Sequence, residues 1–147
     1  MFFTILFIVI SIFKSFGYFY NINSYEYDDI YYGAVINEKI KNKIPKIIEY
    51  INKSDDNVIV FSTEAAFYIM PLNKSNGYMD EPLLGNFGKE GEDGVIKEIK
   101  EMKNTTILIN KEKQSYQESD KIRQYIKENL KYMGKIEDFL IYETKEE

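Results

Sequence analysis

The stretch Val58-Ile59-Val60-Phe61-Ser62-Thr63-Glu64-Ala65-Ala66-Phe67-Tyr68-Ile69-Met70-Pro71 decides the fold. Its first four residues are continuously apolar and are bounded by the turn formers Asn57 and Ser62. Such a run predicts a strand buried on both faces, as in a parallel sheet. Ser62 or Thr63 can then cap a short helix, because a hydroxyl accepts from the unpaired N–H groups of the first turn. Pro71 limits that helix, since proline disfavours helical geometry in the residue before it.

The same alternation continues on both sides. Upstream, residues 35–53 carry Ile36, Ile40, Ile44, Ile47, Ile48 and Ile51. That spacing is one face of an amphipathic helix, with Lys and Glu on the other. Pro45 predicts a kink or a break within it, and Ser54-Asp55-Asp56-Asn57 a stop. Downstream, Val95, Ile96, Ile99 and Met102 predict a second helix that stops near Asn104. Thr105 to Asn110 reads as a second buried strand and 111–117 as a polar loop. Ile122, Ile126, Leu130 and Met133 predict a third helix, with Gly134 as its C-cap. Phe139-Leu140-Ile141-Tyr142 is a last short strand, and Lys145-Glu146-Glu147 a frayed tail.

Helices and strands that alternate in this way predict an α/β fold. The expected architecture is a small Rossmann-like layered domain with a mostly parallel sheet, preceded by one hydrophobic N-terminal helix. Right-handed crossovers would place the loop after Phe61 at the carboxyl end of the sheet, where open α/β sheets bind ligands. Residues 72–94 form that region, with Gly77, Gly85, Gly88, Gly91 and Gly94 and little regular pattern. A loop of this length inside a small domain is uncommon and often functional.

Composition narrows the chemistry. The 147 residues contain no Cys and no His. Thiolate catalysis, disulfides, imidazole bases and the usual zinc sites are therefore excluded, and so is a Ser-His-Asp triad. The net charge is −5 and no basic patch stands out, which argues against a nucleic-acid partner. The hydrophobic fraction of 44% is enough for a packed core. No cofactor and no metal site is expected.

The N-terminus differs from the rest. Residues 2–13 are almost wholly apolar; Lys14 interrupts the run, and Phe16 to Tyr20 resume it with aromatics. A membrane-spanning helix needs about 20 apolar residues, a length that 2–20 reaches only by including Lys14. A lysine near one end can snorkel, and Tyr18 and Tyr20 suit a membrane interface. A signal peptide fits less well, for want of a basic start and a small-residue cleavage site. A buried core segment is the third alternative. The membrane reading is favoured by the absence of charge between Met1 and Lys14. It divides the chain into a membrane segment or truncated last transmembrane helix (1–20), a polar, tyrosine-rich linker (21–34) and an α/β domain (35–147). Asp28 and Asp29 in the linker read as solvated rather than as metal ligands.

Motif tests are mostly negative. Gly85, Gly88, Gly91 and Gly94 do not follow a strand and lack the first interval of G-x-G-x-x-G. Glu90, Glu92 and Asp93 would also repel a pyrophosphate at that helix N-terminus. Glu64 falls at the predicted ligand edge, with Asp80 and Glu81 in the loop beyond it. Paired carboxylates can perform acid–base work on glycosides; alternatively, Glu64 simply faces the positive end of a short helix. Tyr68, Tyr78 and Phe87 could stack on a sugar or a lipid head group, or pack the loop onto its own domain. The candidate binding residues are Glu64, Tyr68, Tyr78, Asp80 and Asn86.

One resemblance adds to this reading. It is carried by Val58 to Pro71 with Leu72, by Asn76-Gly77-Tyr78-Met79-Asp80-Glu81-Pro82-Leu83-Leu84-Gly85-Asn86-Phe87-Gly88, and by Thr106-Ile107-Leu108-Ile109. It closes on Tyr132-Met133-Gly134-Lys135-Ile136 and Phe139-Leu140-Ile141-Tyr142-Glu143. The pattern resembles the C-terminal soluble domain of GT-C-type polytopic membrane glycosyltransferases, the mannosyltransferase-like proteins that use polyprenyl-phosphate sugars. The resemblance implies a last transmembrane helix leading into a small α/β domain outside the cytoplasm. It also implies that this chain is a fragment or short relative, since the family's catalytic acid lies in loops between early transmembrane helices. No catalytic residue is carried over. Three functions stay open: a non-catalytic membrane-anchored module that positions a glycan or lipid-linked sugar, a small enzyme using Glu64 and Asp80, and a soluble regulatory or binding domain. On the first, the expressed chain should remain with the membrane fraction and be cut by protease added outside intact cells. A soluble, protected chain would contradict it.

Overall fold

The computed structural model describes residues 26–27, 35–36, 38–74, 79 and 82–144. The hydrophobic segment 2–20, most of the 21–34 linker with Asp28 and Asp29, the candidates Tyr78 and Asp80, Glu81, and the tail 145–147 lie outside the described residues. The chain divides into two units, Met1–Asn42 and Lys43–Glu147. In the first, β1 (Glu26–Tyr27) pairs antiparallel with β2 (Val35–Ile36). The expected first helix therefore starts later than residue 35, as α1 (Glu38–Lys53).

The second unit is built on a four-stranded sheet. Its elements after α1 are β3 (Asn57–Phe61), α2 (Ala65–Ile69) with a 3-10 turn (Met70–Leu72), α3 (Gly91–Glu101), β4 (Thr105–Asn110), α4 (Asp120–Asn129), β5 (Lys131–Ile136) and β6 (Phe139–Glu143). The strand order is β3-β4-β6-β5. β3 and β4 run parallel, with Val60 opposite Leu108. β6 is antiparallel to both β4 and β5. The sheet is thus mixed and mostly antiparallel, which corrects the expectation of a mostly parallel one. The cause is β5, which the sequence hides. Leu130 and Met133 fall four and seven residues after Ile126 and mimic a helical stripe. The helix in fact ends at Asn129, and Leu130 is extended (φ −97°, ψ 160°). Gly134 is accordingly no helix cap. It sits in β5 beside a bulge that leaves Met133 without a partner, at a φ of 134° that favours glycine. Glu137 and Asp138 then form a two-residue turn, and a connection that short requires the next strand to be antiparallel.

Alternation assigns the two faces of the sheet. Ile59, Phe61, Ile107, Ile109 and Tyr142 share one core cluster with Val95, Ile96 and Ile99 of α3 and Ile122 and Ile126 of α4. Val58, Val60, Leu108, Phe139 and Ile141 are buried on the opposite face. From Lys43 onward, α1 covers that face. Its Ile44, Ile47 and Ile51 are buried, and the Lys43 ammonium lies 5.5 Å from the Phe139 ring centroid. Pro45 sits inside α1 without ending it. The buried isoleucines on either side hold the helix against the sheet, which offsets the hydrogen bond that proline cannot donate.

The carboxyl end of β4 is held by the chain's one arginine. Arg123 donates to the Asn110 carbonyl at 2.6 Å and pairs with Glu118 at 3.1 Å. Both ionic partners are buried, so each depends on the other to offset lost hydration.

Three phenols titrate above the ordinary tyrosine value of about 10. Burial raises Tyr50 most; the charges of Asp56 and Glu143 add to it, and a hydrogen bond with Thr106 opposes. Burial also raises Tyr125 and Tyr142, the latter with Tyr132 adding and Arg123 opposing. A raised folded-state pKa means stability that is intact below pH about 10 and lost as pH rises through the folded values. An alkaline titration followed by tyrosinate absorbance should show a late-ionising fraction that joins the main transition in denaturant. One unchanged transition in both conditions would refute it.

Candidate functional site

Parallel pairing brings the ends of β3 and β4 to the same edge, and polar groups gather there. β3 gives way to Ser62, whose hydroxyl accepts from the Glu64 N–H at 3.1 Å. The Ser62 carbonyl accepts from the Ala65 N–H at 3.0 Å. Ser62 thus shapes the turn, but Glu64 occupies the position before the first residue of α2, and its side chain does not cap that helix. It accepts from the Lys43 ammonium at 2.5 Å and from the Tyr68 hydroxyl, one turn further along, at 2.9 Å.

Lys43 also donates to Asp138 Oδ2, at 2.8 Å. One ammonium therefore joins α1, the start of α2 and the β5–β6 turn. The side chains are 5% exposed for Lys43, 16% for Glu64 and 30% for Asp138, so the cation lies inside and the carboxylates form the rim. Isolated burial of an ammonium is costly, and two acceptors are a physical answer to it. Next along α1, Lys46 pairs with Glu137 at 2.5 Å in a much more exposed setting. The Tyr68 and Phe139 rings close the site edge to face, with centroids 5.4 Å apart.

The candidate residues separate in the structure. Glu64 and Tyr68 meet. The Tyr68 ring is fully buried, so it forms the floor and has no open face for stacking. Asn86 is exposed in a turn closed by its N–H on the Leu83 carbonyl, at 3.0 Å. Phe87 packs into the core cluster with Met79, the structural alternative for that loop.

Sequence reading missed Lys43 and Asp138. It assigned every lysine of the first helix to the polar face. Yet Lys43 stands four residues before Ile47 and eight before Ile51, on the apolar stripe itself. That position was a usable signal, because a lysine there needs a carboxylate partner. Asp138 carried no such signal, since its turn exists only if β5 is a strand.

Chemically, the cluster presents acceptors whose positions are set by a shared cation. Among the described residues, no group of His, Cys, Asp or Glu is placed to hold a metal ion. No protein-family model matches the chain, and neither the curated proteins nor the solved structures contain a match to it.

Replacing Lys43 with Met keeps the length and leaves two carboxylates without their cation. The change should cost about 3 kcal/mol of stability in urea denaturation. Lys46→Met, at a solvated pair, should cost under about 1 kcal/mol. Equal losses would show that Lys43 is no buried keystone.

Proposed function

We propose that this chain is a non-catalytic, membrane-anchored module of a glycosyltransferase-like membrane protein, facing outside the cytoplasm and holding the sugar of a glycan or lipid-linked sugar. The observation that carries the binding part is the convergence of Glu64 and Asp138 on Lys43 at the carboxyl edge of β3 and β4. Sugar hydroxyls are donors, and partly exposed carboxylates held in fixed positions are matched acceptors for them. The same geometry favours binding over turnover. Glu64 already accepts from Lys43 and Tyr68, and Lys43 is shared by two carboxylates, so neither is poised to move a proton to a substrate.

Membrane attachment rests on the apolar segment 2–20 and on the resemblance of most of 35–143 to the soluble domain of GT-C-type enzymes. Among the described residues, no helix is long and apolar enough to cross a membrane.

The test uses the full chain in detergent, titrated with methyl hexopyranosides and with a polyprenyl-phosphate hexose under saturation-transfer NMR. Binding is expected, and Asp138→Asn should weaken it about tenfold, or 1.4 kcal/mol. Absence of binding to any of these ligands would refute the sugar reading. Release of free sugar from the polyprenyl compound would favour the enzymatic alternative.

A further inference from the structure

Beside Lys43 lies a polar group that the ion pairs do not use. Asn110, the last residue of β4, is fully buried, and neither its amide nitrogen nor its amide oxygen has a hydrogen-bond partner. Asp138 Oδ1 is likewise buried and unpaired, although Oδ2 of the same carboxylate accepts from Lys43. Unpaired buried polar atoms are rare, and each costs about 1–3 kcal/mol when nothing satisfies it.

Register makes these two residues neighbours at the end of the β4–β6 pair. Asn110 stands opposite Phe139, the residue after Asp138. The Lys111 N–H donates to the Asp138 carbonyl at 2.7 Å, which pins the turn to the end of β4. By alternation, Asn110 shares the α1 face with Leu108, and its partner Phe139 lies under Lys43. The Asp138 carboxylate is drawn to the same face by Lys43. On the other side, Arg123 holds the Asn110 main chain through its carbonyl.

We propose that Asn110 and Asp138 form a hydroxyl-binding site beneath the Lys43 cluster. The chemistry follows from the three free atoms. The Asn110 amide oxygen and Asp138 Oδ1 accept, and the Asn110 amide nitrogen donates. A water, with two hydrogens and two lone pairs, matches the whole set; a sugar hydroxyl, with one hydrogen, accepts from the amide and serves one of the two acceptors. A carboxylate cannot donate to the two acceptors, and the negative charge of a carboxylate or phosphate would face Asp138; an ammonium cannot accept from the amide. The oxygen comes either from water or from a sugar hydroxyl. The second source rests on the function proposed above; the first does not.

Asn110→Leu separates a filled site from an unfilled one. If the amide were unsatisfied, its removal would leave stability unchanged or raise it; if it binds a hydroxyl, removal should lower the denaturation midpoint. The source is read on the full chain in detergent by oxygen-17 relaxation dispersion and by thermal stability with methyl α-glucopyranoside. Long-lived water in the wild type that Asn110→Leu lacks identifies water. No long-lived water, with stabilisation by the glucoside that Asn110→Leu abolishes, identifies the ligand hydroxyl. A wild type with neither signal, beside an Asn110→Leu variant at least as stable, would overturn the proposal. Both wild-type measurements stand even where the variant folds poorly.

Discussion

The buried ammonium of Lys43 is the constraint on which the carboxyl edge of β3 and β4 depends. It ties three segments far apart in sequence: residue 43 on α1, residue 64 after β3 and residue 138 in the β5–β6 turn. Burial raises the stakes. A charge in that position is tolerated only while both acceptors stay in place, so the chemistry of the edge and its shape are the same fact.

A second buried ion pair works from the opposite face. Arg123 and Glu118 hold the main chain at the end of β4, while Lys43 holds side chains on the α1 face. The end of β4 is therefore clamped from both sides by charged groups. Arginine suits the main-chain role because its planar fork can serve a carboxylate and a carbonyl together; lysine suits the other because its ammonium can donate in several directions. Acceptors fixed by ion pairs in this way keep their positions without a further ordering cost.

The Lys43 cluster lies at the carboxyl edge of the parallel pair, although most of the sheet is antiparallel. What matters locally is that β3 and β4 end side by side. The antiparallel hairpin then contributes something a parallel sheet would not: its tight turn arrives at the same edge and supplies Asp138. The difference from the expected topology thus adds a residue to the site.

Local signals were legible wherever burial imposed a pattern. The stripes of α3 and α4 could be read because each helix buries one face, and the continuous apolar runs of β3 and β4 because both faces of those strands are buried. β5 could not be read. It is an edge strand with Lys131, Tyr132, Met133 and Lys135 exposed, and solvent imposes no period on exposed residues. From that one gap followed the mistaken expectation of a mostly parallel sheet, the misplaced role of Gly134 and the missing Asp138. The sequence by itself determined the α/β class, most of the core-facing residues, the absence of His and Cys chemistry, and Glu64 as a candidate at the carboxyl end of β3. Only the tertiary structure decided which partner Glu64 has, because the Lys43–Glu64–Asp138 cluster joins residues separated by 21 and 95 positions. Contacts of that range depend on strand order and turn geometry, which no local pattern encodes.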